Sequence, residues 1–169
     1  MDENKEQFSL IYDQYIEKIY RFVYLKVDSK ETAEDITSKV FTKGWEKYSN
    51  GLKIDNIGAF LYKIARNSVI DHYKKRDRTK VISAEYIAQI PDQKADSHEK
   101  AVLNQEIENV KQAIKSLKQD YQDVLIWHYL EDMPIAEIAQ IIDKPVGTIR
   151  VMMHRGLKEL RGELKIGES

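Results

Sequence analysis

Residues 134–150, PIAEIAQIIDKPVGTIR, contain the most specific local pattern in the chain. Pro134 suits the first turn of a helix, where a missing N–H costs nothing, and isoleucines then recur at helical spacing. The triplet Asp143-Lys144-Pro145 predicts a short turn, after which a second helix begins. A short helix, a tight turn and a second helix are typical of the helix-turn-helix motif, whose second helix lies in the DNA major groove.

The charges around this motif favour DNA binding over the alternative of an ordinary helical hairpin. Residues 119–143 hold six acidic residues and no Lys or Arg, whereas residues 144–165 hold six basic residues and two acidic ones. A basic second helix directly after an acid-rich stretch is typical of a surface that contacts a polyanion. The side chains expected to point outward from it are Arg150, His154, Arg155 and Lys158.

Three longer amphipathic helices are predicted ahead of this motif. Apolar residues recur at helical spacing from Phe8 to Val23 and from Ala33 to Tyr48. Asp28, Ser29 and Glu31 supply capping chemistry for the second of these helices. Residues 49–56 break the pattern and predict a loop before the third helix.

The third helix, which begins near Ile57, is predicted to be strongly basic. Residues 61–80 hold seven basic residues against two acidic ones, and the face opposite the apolar stripe carries Lys63, Arg66, Asn67 and Lys74. Cations follow phosphates and an amide can hydrogen-bond a base edge, so this face suits single-stranded DNA. The alternative is a solvated helix face, which is the usual meaning of a charge run taken alone.

Helical periodicity fades from about residue 79 to residue 100, where Pro91–Ser97 has the composition of a linker. Four further helices are predicted after it, and alternating strand-like segments are absent from the sequence. The predicted fold is therefore all-α. It has two small helical domains, an N-terminal bundle (1–78) and a C-terminal helix-turn-helix domain (101–169), joined by a flexible linker (79–100).

Composition excludes several classes of function. The 169 residues include no cysteine, which removes disulfides, thiolate metal sites and cysteine nucleophiles and fits a reducing cytoplasm. The acidic N-terminus does not resemble a signal peptide, and no apolar run approaches the roughly 20 residues that span a bilayer. The four histidines lack metal-ligand spacing and no glycine-rich phosphate loop is present. We therefore predict a cytoplasmic protein that does not insert into membranes, is not an enzyme, and has no cofactor and no metal.

Four blocks in order resemble the extracytoplasmic-function sigma factors, the small two-domain initiation subunits of bacterial RNA polymerase. They cover most of the chain from Phe8 to Leu164 apart from the linker. The blocks are Ile11–Phe22, Ala33–Trp45, Phe60–Asp71, and the pair Tyr121–Leu125 and Pro145–Arg155. The resemblance implies that the chain binds core RNA polymerase and promoter DNA, is held by an anti-sigma factor, and is monomeric when not in a complex.

The resemblance also implies residue roles. Core polymerase would bind the second helix through Glu34, Asp35, Ile36, Ser38, Lys39 and Val40. Ser38 and Lys39 stand where the family commonly has a Gln-Glu pair. The single-stranded −10 element would contact Lys53, Asp55, Asn56, Lys63, Arg66, Asn67, Lys74, Lys75 and Arg76. The −35 element would contact Lys144, Thr148, Arg150, His154, Arg155, Lys158 and Arg161. Val151 and Met152 replace the common Ser-Arg pair beside Arg150.

One alternative function remains open from the sequence. A conventional helix-turn-helix regulator, with an N-terminal bundle that dimerises or binds a ligand, accounts for residues 145–164. It leaves the basic third helix and the block Ala33–Trp45 without a role.

Overall fold

The computed structural model describes residues 2–80 and 98–166. The described residues contain no strand, so the all-α prediction is confirmed. The predicted linker lies largely outside the described residues, and the predicted domain boundaries stay a prediction. The helices are α1 (Asp2–Tyr24), α2 (Lys30–Ser49), α3 (Ile57–Lys80), α4 (His98–Lys115), α5 (Gln119–Leu125), α6 (Ile135–Ile142) and α7 (Val146–Ile166), with a π-helical turn (Ile126–Leu130) between α5 and α6.

Local capping fixes where the N-terminal helices begin. Ser29 is the N-cap of α2, and its side-chain oxygen accepts a hydrogen bond from the Thr32 amide at 3.1 Å. Asn56 does the same for α3, where its Oδ1 accepts from the Ala59 amide at 3.1 Å. Helices α1, α2 and α3 pack on one another around fully buried side chains that include Ile19, Phe22, Val40 and Leu61.

The predicted helix-turn-helix is confirmed. Asp143 ends α6 in the left-handed conformation, with φ of 62°, and the Lys144 amide donates to the Ala139 carbonyl at 3.1 Å. Pro145 then stands immediately before α7, and its carbonyl accepts from the Ile149 amide at 3.1 Å. Ile138 of α6 and Ile149 of α7 are fully buried, and the two helices pack against each other.

Helix α4 buries only part of its apolar side. Ile107 and Val110 lie at helical spacing with Ile114, but 40% and 43% of their surfaces are exposed. The end of the helix makes the buried contacts instead, through Ala113 and Ile114. Helix α4 also begins at His98, before the predicted end of the linker.

Helices α1–α3 and α4–α7 share a single hydrophobic core, which the sequence did not predict. Trp127, from the π-helical turn, is completely buried against Phe22 of α1 and Tyr62 of α3. Helix α3 also packs against α6. The helix-turn-helix unit is therefore held directly on the N-terminal bundle.

Candidate nucleic-acid and polymerase interfaces

Helix α3 presents a basic face on the outside of the N-terminal bundle. Lys63, Asn67 and Lys74 are exposed and, at helical spacing, lie on the same side of α3. Lys75 is exposed and Arg76 is half-buried near the end of the helix. In the preceding loop Lys53 and Asp55 are exposed, while Asn56 is committed to capping α3. The structure thus leaves most of the predicted −10 residues exposed, on α3 or in the loop before it.

The last turns of α3 form an open basic cavity of about 530 Å³, lined by His72, Lys75, Arg76 and Arg78. Arg76 also forms an ion pair with Asp28 from the loop between α1 and α2. Burial, reinforced by the positive charge of Lys39, lowers the pKa of His72 below its usual value. A neutral imidazole beside three cations leaves the cavity suited to an anion.

Arg66, another of the predicted −10 residues, is paired with two carboxylates. Its Nη2 donates to Asp120 Oδ1 at 2.6 Å and its Nε donates to Asp123 Oδ2 at 2.8 Å. Both carboxylates belong to α5, and only 21% of the Arg66 side chain is exposed. The most basic face of the N-terminal bundle is thus joined at this point to the acid-rich segment of the other half.

The predicted −35 residues lie on the outer side of α7 and in the turn before it. Ile149 and Met153 turn inward, so the opposite side of the helix faces solvent. The exposed predicted residues are Lys144, Thr148, Arg150, His154, Arg155, Lys158 and Arg161. Lys144 donates to Asp120 Oδ2 at 3.3 Å. Asp120 therefore contacts both Lys144, predicted for the −35 element, and Arg66, predicted for the −10 element.

The two departures beside Arg150 have different environments. Met152 is buried, with 7% of its surface exposed, so it belongs to the core and cannot contact DNA. Val151 is 47% exposed and lies on the solvent side of α7. An exposed aliphatic side chain at this place can pack against a thymine methyl group but cannot replace a polar contact.

The predicted polymerase residues on α2 divide into two groups. Glu34, Asp35, Ser38 and Lys39 are exposed, and Lys39 Nζ lies 3.1 Å from Asp35 Oδ2 one turn away. Ile36 and Val40 are buried in the protein's own core, so they position α2 and are not available to a partner. Beside the exposed group lies an open groove of about 660 Å³ between α1 and α2, lined by Tyr12, Ile16, Glu17, Tyr20, Glu34, Thr37, Ser38, Phe41, Thr42 and Trp45.

Sequence reasoning missed a buried charge cluster between the two halves. Lys26, in the turn after α1, forms an ion pair with Asp123, and both side chains are completely buried. Burial lowers the pKa of Lys26 and raises the pKa of Asp123, while their mutual attraction acts in the opposite sense on each. The signal that could have revealed them is a charged residue inside an apolar run: Lys26 lies between Leu25 and Val27.

The described residues contain neither a candidate metal site nor a candidate membrane span. Within residues 2–80 and 98–166, no group of His, Asp and Glu side chains is arranged to hold a metal ion. None of the helices in that part of the chain combines the length and apolar character that a membrane span requires.

Two family models match the chain in the order of its two halves. Residues 11–79 match sigma-70 region 2, and residues 107–160 match sigma-70 region 4. The ECF RNA polymerase sigma factor BldN of Streptomyces coelicolor is 31% identical to this chain over 162 residues. The chain belongs to the extracytoplasmic-function sigma factors. The members of this family are transcription initiation factors, and the family is not one of enzymes.

Relatives within the extracytoplasmic-function family differ in length. The BldN match covers 92% of this chain but only 59% of BldN. The ECF sigma factor SigW of Bacillus subtilis is 29% identical, and the match covers 96% of this chain and 91% of SigW.

Two solved structures share the fold across both halves. The sigma factor RpoE, solved with the anti-sigma factor NepR from Bartonella quintana, gives a TM-score of 0.72 at 22% identity, covering 95% of this chain and 98% of that one. CnrH, solved with the cytosolic domain of CnrY, gives a TM-score of 0.73 at 14% identity, covering 96% and 90%. At these identities the likeness concerns the fold alone.

Proposed function

We propose that this chain binds core RNA polymerase and directs promoter-specific initiation by recognising a −35 and a −10 element. The observation that carries the proposal is the pairing of two separate basic faces, on α3 and α7, within the two matched sigma-70 regions. A single DNA-binding surface would suffice for a repressor. Two surfaces on two different helices fit a protein that reads two separated elements.

The face on α3 is proposed to hold the non-template strand of the −10 element. Asn67 is exposed beside Lys63, and the loop that carries Lys53 and Asp55 precedes the same helix. An amide can hydrogen-bond the edge of an extruded base, while nearby lysines neutralise phosphates. Extruding a base costs a few kcal/mol of unstacking, which these contacts would offset. Asn56 contributes by fixing the start of α3.

The face on α7 is proposed to read the −35 element in duplex form. Arg150 lies in the first turns of the helix, the part that meets base edges in helix-turn-helix proteins. Lys158 and Arg161 lie two to three turns further along, where side chains contact phosphates. Lys144 in the turn before α7 and Arg155 on α7 add positive charge to this surface.

The exposed side of α2 is proposed to bind the polymerase. Glu34 and Asp35 offer negative charge, while Lys39 stands where an acidic residue is common in the family and partly neutralises Asp35. The apolar groove between α1 and α2 lies beside them and can accept the side chains of a partner helix.

We also propose that the chain acts in the cytoplasm and has no enzymatic activity of its own. Any turnover in a reconstituted reaction would belong to the polymerase. RpoE and CnrH were each solved with a partner, an anti-sigma factor in the case of RpoE. We propose that an anti-sigma factor likewise binds this chain, which is otherwise monomeric.

Reconstitution with sigma-free core polymerase tests the proposal. The purified chain is expected to co-purify with core and to give transcripts that start at defined positions on promoter templates. A failure to bind core, combined with tight binding of a dimer to palindromic duplex DNA, would instead support a conventional regulator.

A further inference from the structure

An apolar side chain stands in the middle of the basic face of α7. Val151 is 47% exposed and lies outside the hydrophobic core of the described residues, which α7 enters through Ile149, Met152 and Met153. Successive residues of an α-helix turn by about 100°, so Val151 points in nearly the same direction as Lys158, two turns further along. The packing of the protein therefore gives no reason for a valine at this place.

The surroundings of Val151 on the helix surface carry no other apolar side chain. Its neighbours there are the residues three and four positions away, which are Gly147, Thr148, His154 and Arg155. All four are exposed. Val151 is thus a single aliphatic group enclosed by polar and cationic side chains, on the face proposed to meet the −35 element.

Gly147 is a second residue of this face that the fold does not require. It is exposed in the first turn of α7, and a Cβ at this position would meet no atom of another element of the described residues within 4 Å. Its backbone is not in the left-handed conformation. Glycine makes a helix less stable than alanine does, so a glycine under these conditions indicates a close approach of another molecule to the backbone.

We propose that Gly147 and Val151 form an apolar strip on α7 that binds the 5-methyl group of a thymine in the −35 element. The two residues are four positions apart and therefore lie above one another on the same side of the helix. The inference rests on the proposed function, because that function places α7 in the major groove. It deepens the function by naming a base and the group through which the base is selected.

The chemistry of the major groove determines which base the strip can select. The bases present hydrogen-bond donors and acceptors there, and the thymine methyl is the one methyl group among them. A valine against a donor or an acceptor would exclude water without replacing the lost hydrogen bond, which is unfavourable. Val151 also has one strongly preferred rotamer in a helix, so it loses little freedom when it makes the contact.

Deoxyuridine is the probe, because it differs from thymidine only by the missing methyl group. Holoenzyme assembled from core polymerase and this chain first selects a preferred −35 sequence from a duplex library. Each thymine of that element, on either strand, is then replaced in turn by deoxyuridine, and the affinity is measured by competition. At one position we expect the affinity to fall about fourfold, as for the loss of one buried methyl group.

Two variants of α7 identify the side chain that detects the methyl group. Val151→Ser is expected to abolish the difference between thymine and deoxyuridine at that position. Leu164→Ser removes an aliphatic side chain that is 40% exposed near the other end of α7, and it should preserve the difference. The proposal would be overturned by an element without a thymine on either strand, by equal affinity at every substituted thymine, or by a difference that survives in Val151→Ser. It would also be overturned if Val151→Ser weakened the binding of core and left that difference intact, since the strip would then serve a protein partner.

The role of Gly147 is tested separately against a matched glycine. Gly162 is also exposed on α7, and a Cβ there would likewise meet nothing within 4 Å in the described residues. Both Gly147→Ala and Gly162→Ala should leave the melting temperature unchanged or raise it, because alanine favours a helix. Only Gly147→Ala should weaken binding to the preferred −35 sequence, by at least about fivefold, because the added methyl group overpacks a close contact. Equal affinities for the two variants would overturn the proposal.

Failure of this inference can be distinguished from failure of the proposed function. A holoenzyme that prefers one −35 sequence but binds its thymine and deoxyuridine forms equally would overturn the apolar strip alone. A chain that does not bind core polymerase, or a holoenzyme without any −35 preference, would overturn the proposed function and the strip with it.

Discussion

Trp127 stacks on Phe22 with ring centroids 5.0 Å apart and ring planes 12° from parallel. The two rings come from opposite halves of the chain, and both are completely buried. Tyr62 closes the cluster with an edge-on contact to each ring. This aromatic cluster is the apolar centre of the contact between helices α1–α3 and helices α4–α7, which the Lys26–Asp123 and Arg66–Asp123 ion pairs also join.

Removal of Trp127 is expected to cost stability heavily. Trp127→Ala should lower the free energy of unfolding by about 3–5 kcal/mol, because a fully buried aromatic is lost and a cavity remains. Tyr129→Ala, two residues along and 51% exposed, is the control and should change it by no more than about 0.5 kcal/mol. Urea unfolding followed by circular dichroism measures both. Similar losses for the two variants would contradict the packing described.

The pH dependence of stability should reveal the role of Asp120. Partial burial alone would raise its pKa, but the hydrogen bond and charge of Arg66, followed by those of Lys144, outweigh burial and lower it. A carboxyl whose pKa is lower in the folded than in the unfolded chain stabilises the fold at neutral pH. That contribution is lost as the pH falls through the usual carboxyl range, about pH 4, and below it.

The comparison that isolates this contribution is the unaltered chain against Asp120→Asn. We expect the unaltered chain to be more stable at pH 7 and the difference to shrink at pH 3, measured by urea unfolding at both values. The other carboxylates are common to both proteins and cancel. A difference that stays the same at both pH values would show that Asp120 acts through packing and not through its charge.

Much of the fold could be predicted because local signals coincide with it. Ser29 caps α2 as expected from its place before the apolar stripe, and Asp143 ends α6 where the turn was predicted. Ile107 and Val110 show the limit of such reasoning. Periodicity identifies an apolar side of a helix but does not say whether another element covers it.

The candidate DNA surfaces could be predicted to a similar degree, but the pairing of the basic α3 with the carboxylates of α5 could not. The charge excess identified α3 and α7, and most of the predicted cations are exposed. Arg66 is an exception, because its partners Asp120 and Asp123 lie far away in sequence. The pairing of Lys26 with Asp123 could not be predicted for the same reason. An acidic and a basic segment predict attraction, but only tertiary structure determines which side chains pair.

Reversal of the two acidic residues on α2 tests the proposed polymerase surface. Glu34→Lys with Asp35→Lys should weaken binding to core polymerase at least about tenfold, because like charges then face the partner. Both side chains are exposed, so the fold should survive. Glu3→Lys with Glu6→Lys on α1 makes the same change in charge elsewhere and is the control in a pull-down with core. If both double variants bind as well as the unaltered chain, this surface has been misassigned.

The two ends of α7 should differ in what they contribute to DNA binding. Arg150→Ala should relax the preference at particular −35 base pairs, because a bidentate arginine–guanine contact gives about 1–3 kcal/mol of discrimination. Lys158→Ala should weaken all sequences alike and reduce the slope of log affinity against log salt by about one. Holoenzyme binding to a library of −35 sequences at two salt concentrations separates these effects. The reverse pattern would mean that α7 docks in the opposite orientation.

The most direct test of the central claim is transcription by core polymerase plus this chain from a library of promoters with both elements randomised. Each promoter is linked to a unique barcode downstream of the start site. Sequencing of the transcripts should then enrich barcodes whose promoters share a defined −35 sequence and a defined −10 sequence at a fixed spacing. Core polymerase without the chain, on the same library, should show no such enrichment. The account would be contradicted if the chain produced no enriched element, or if the enriched sequence were a single palindrome bound by a dimer.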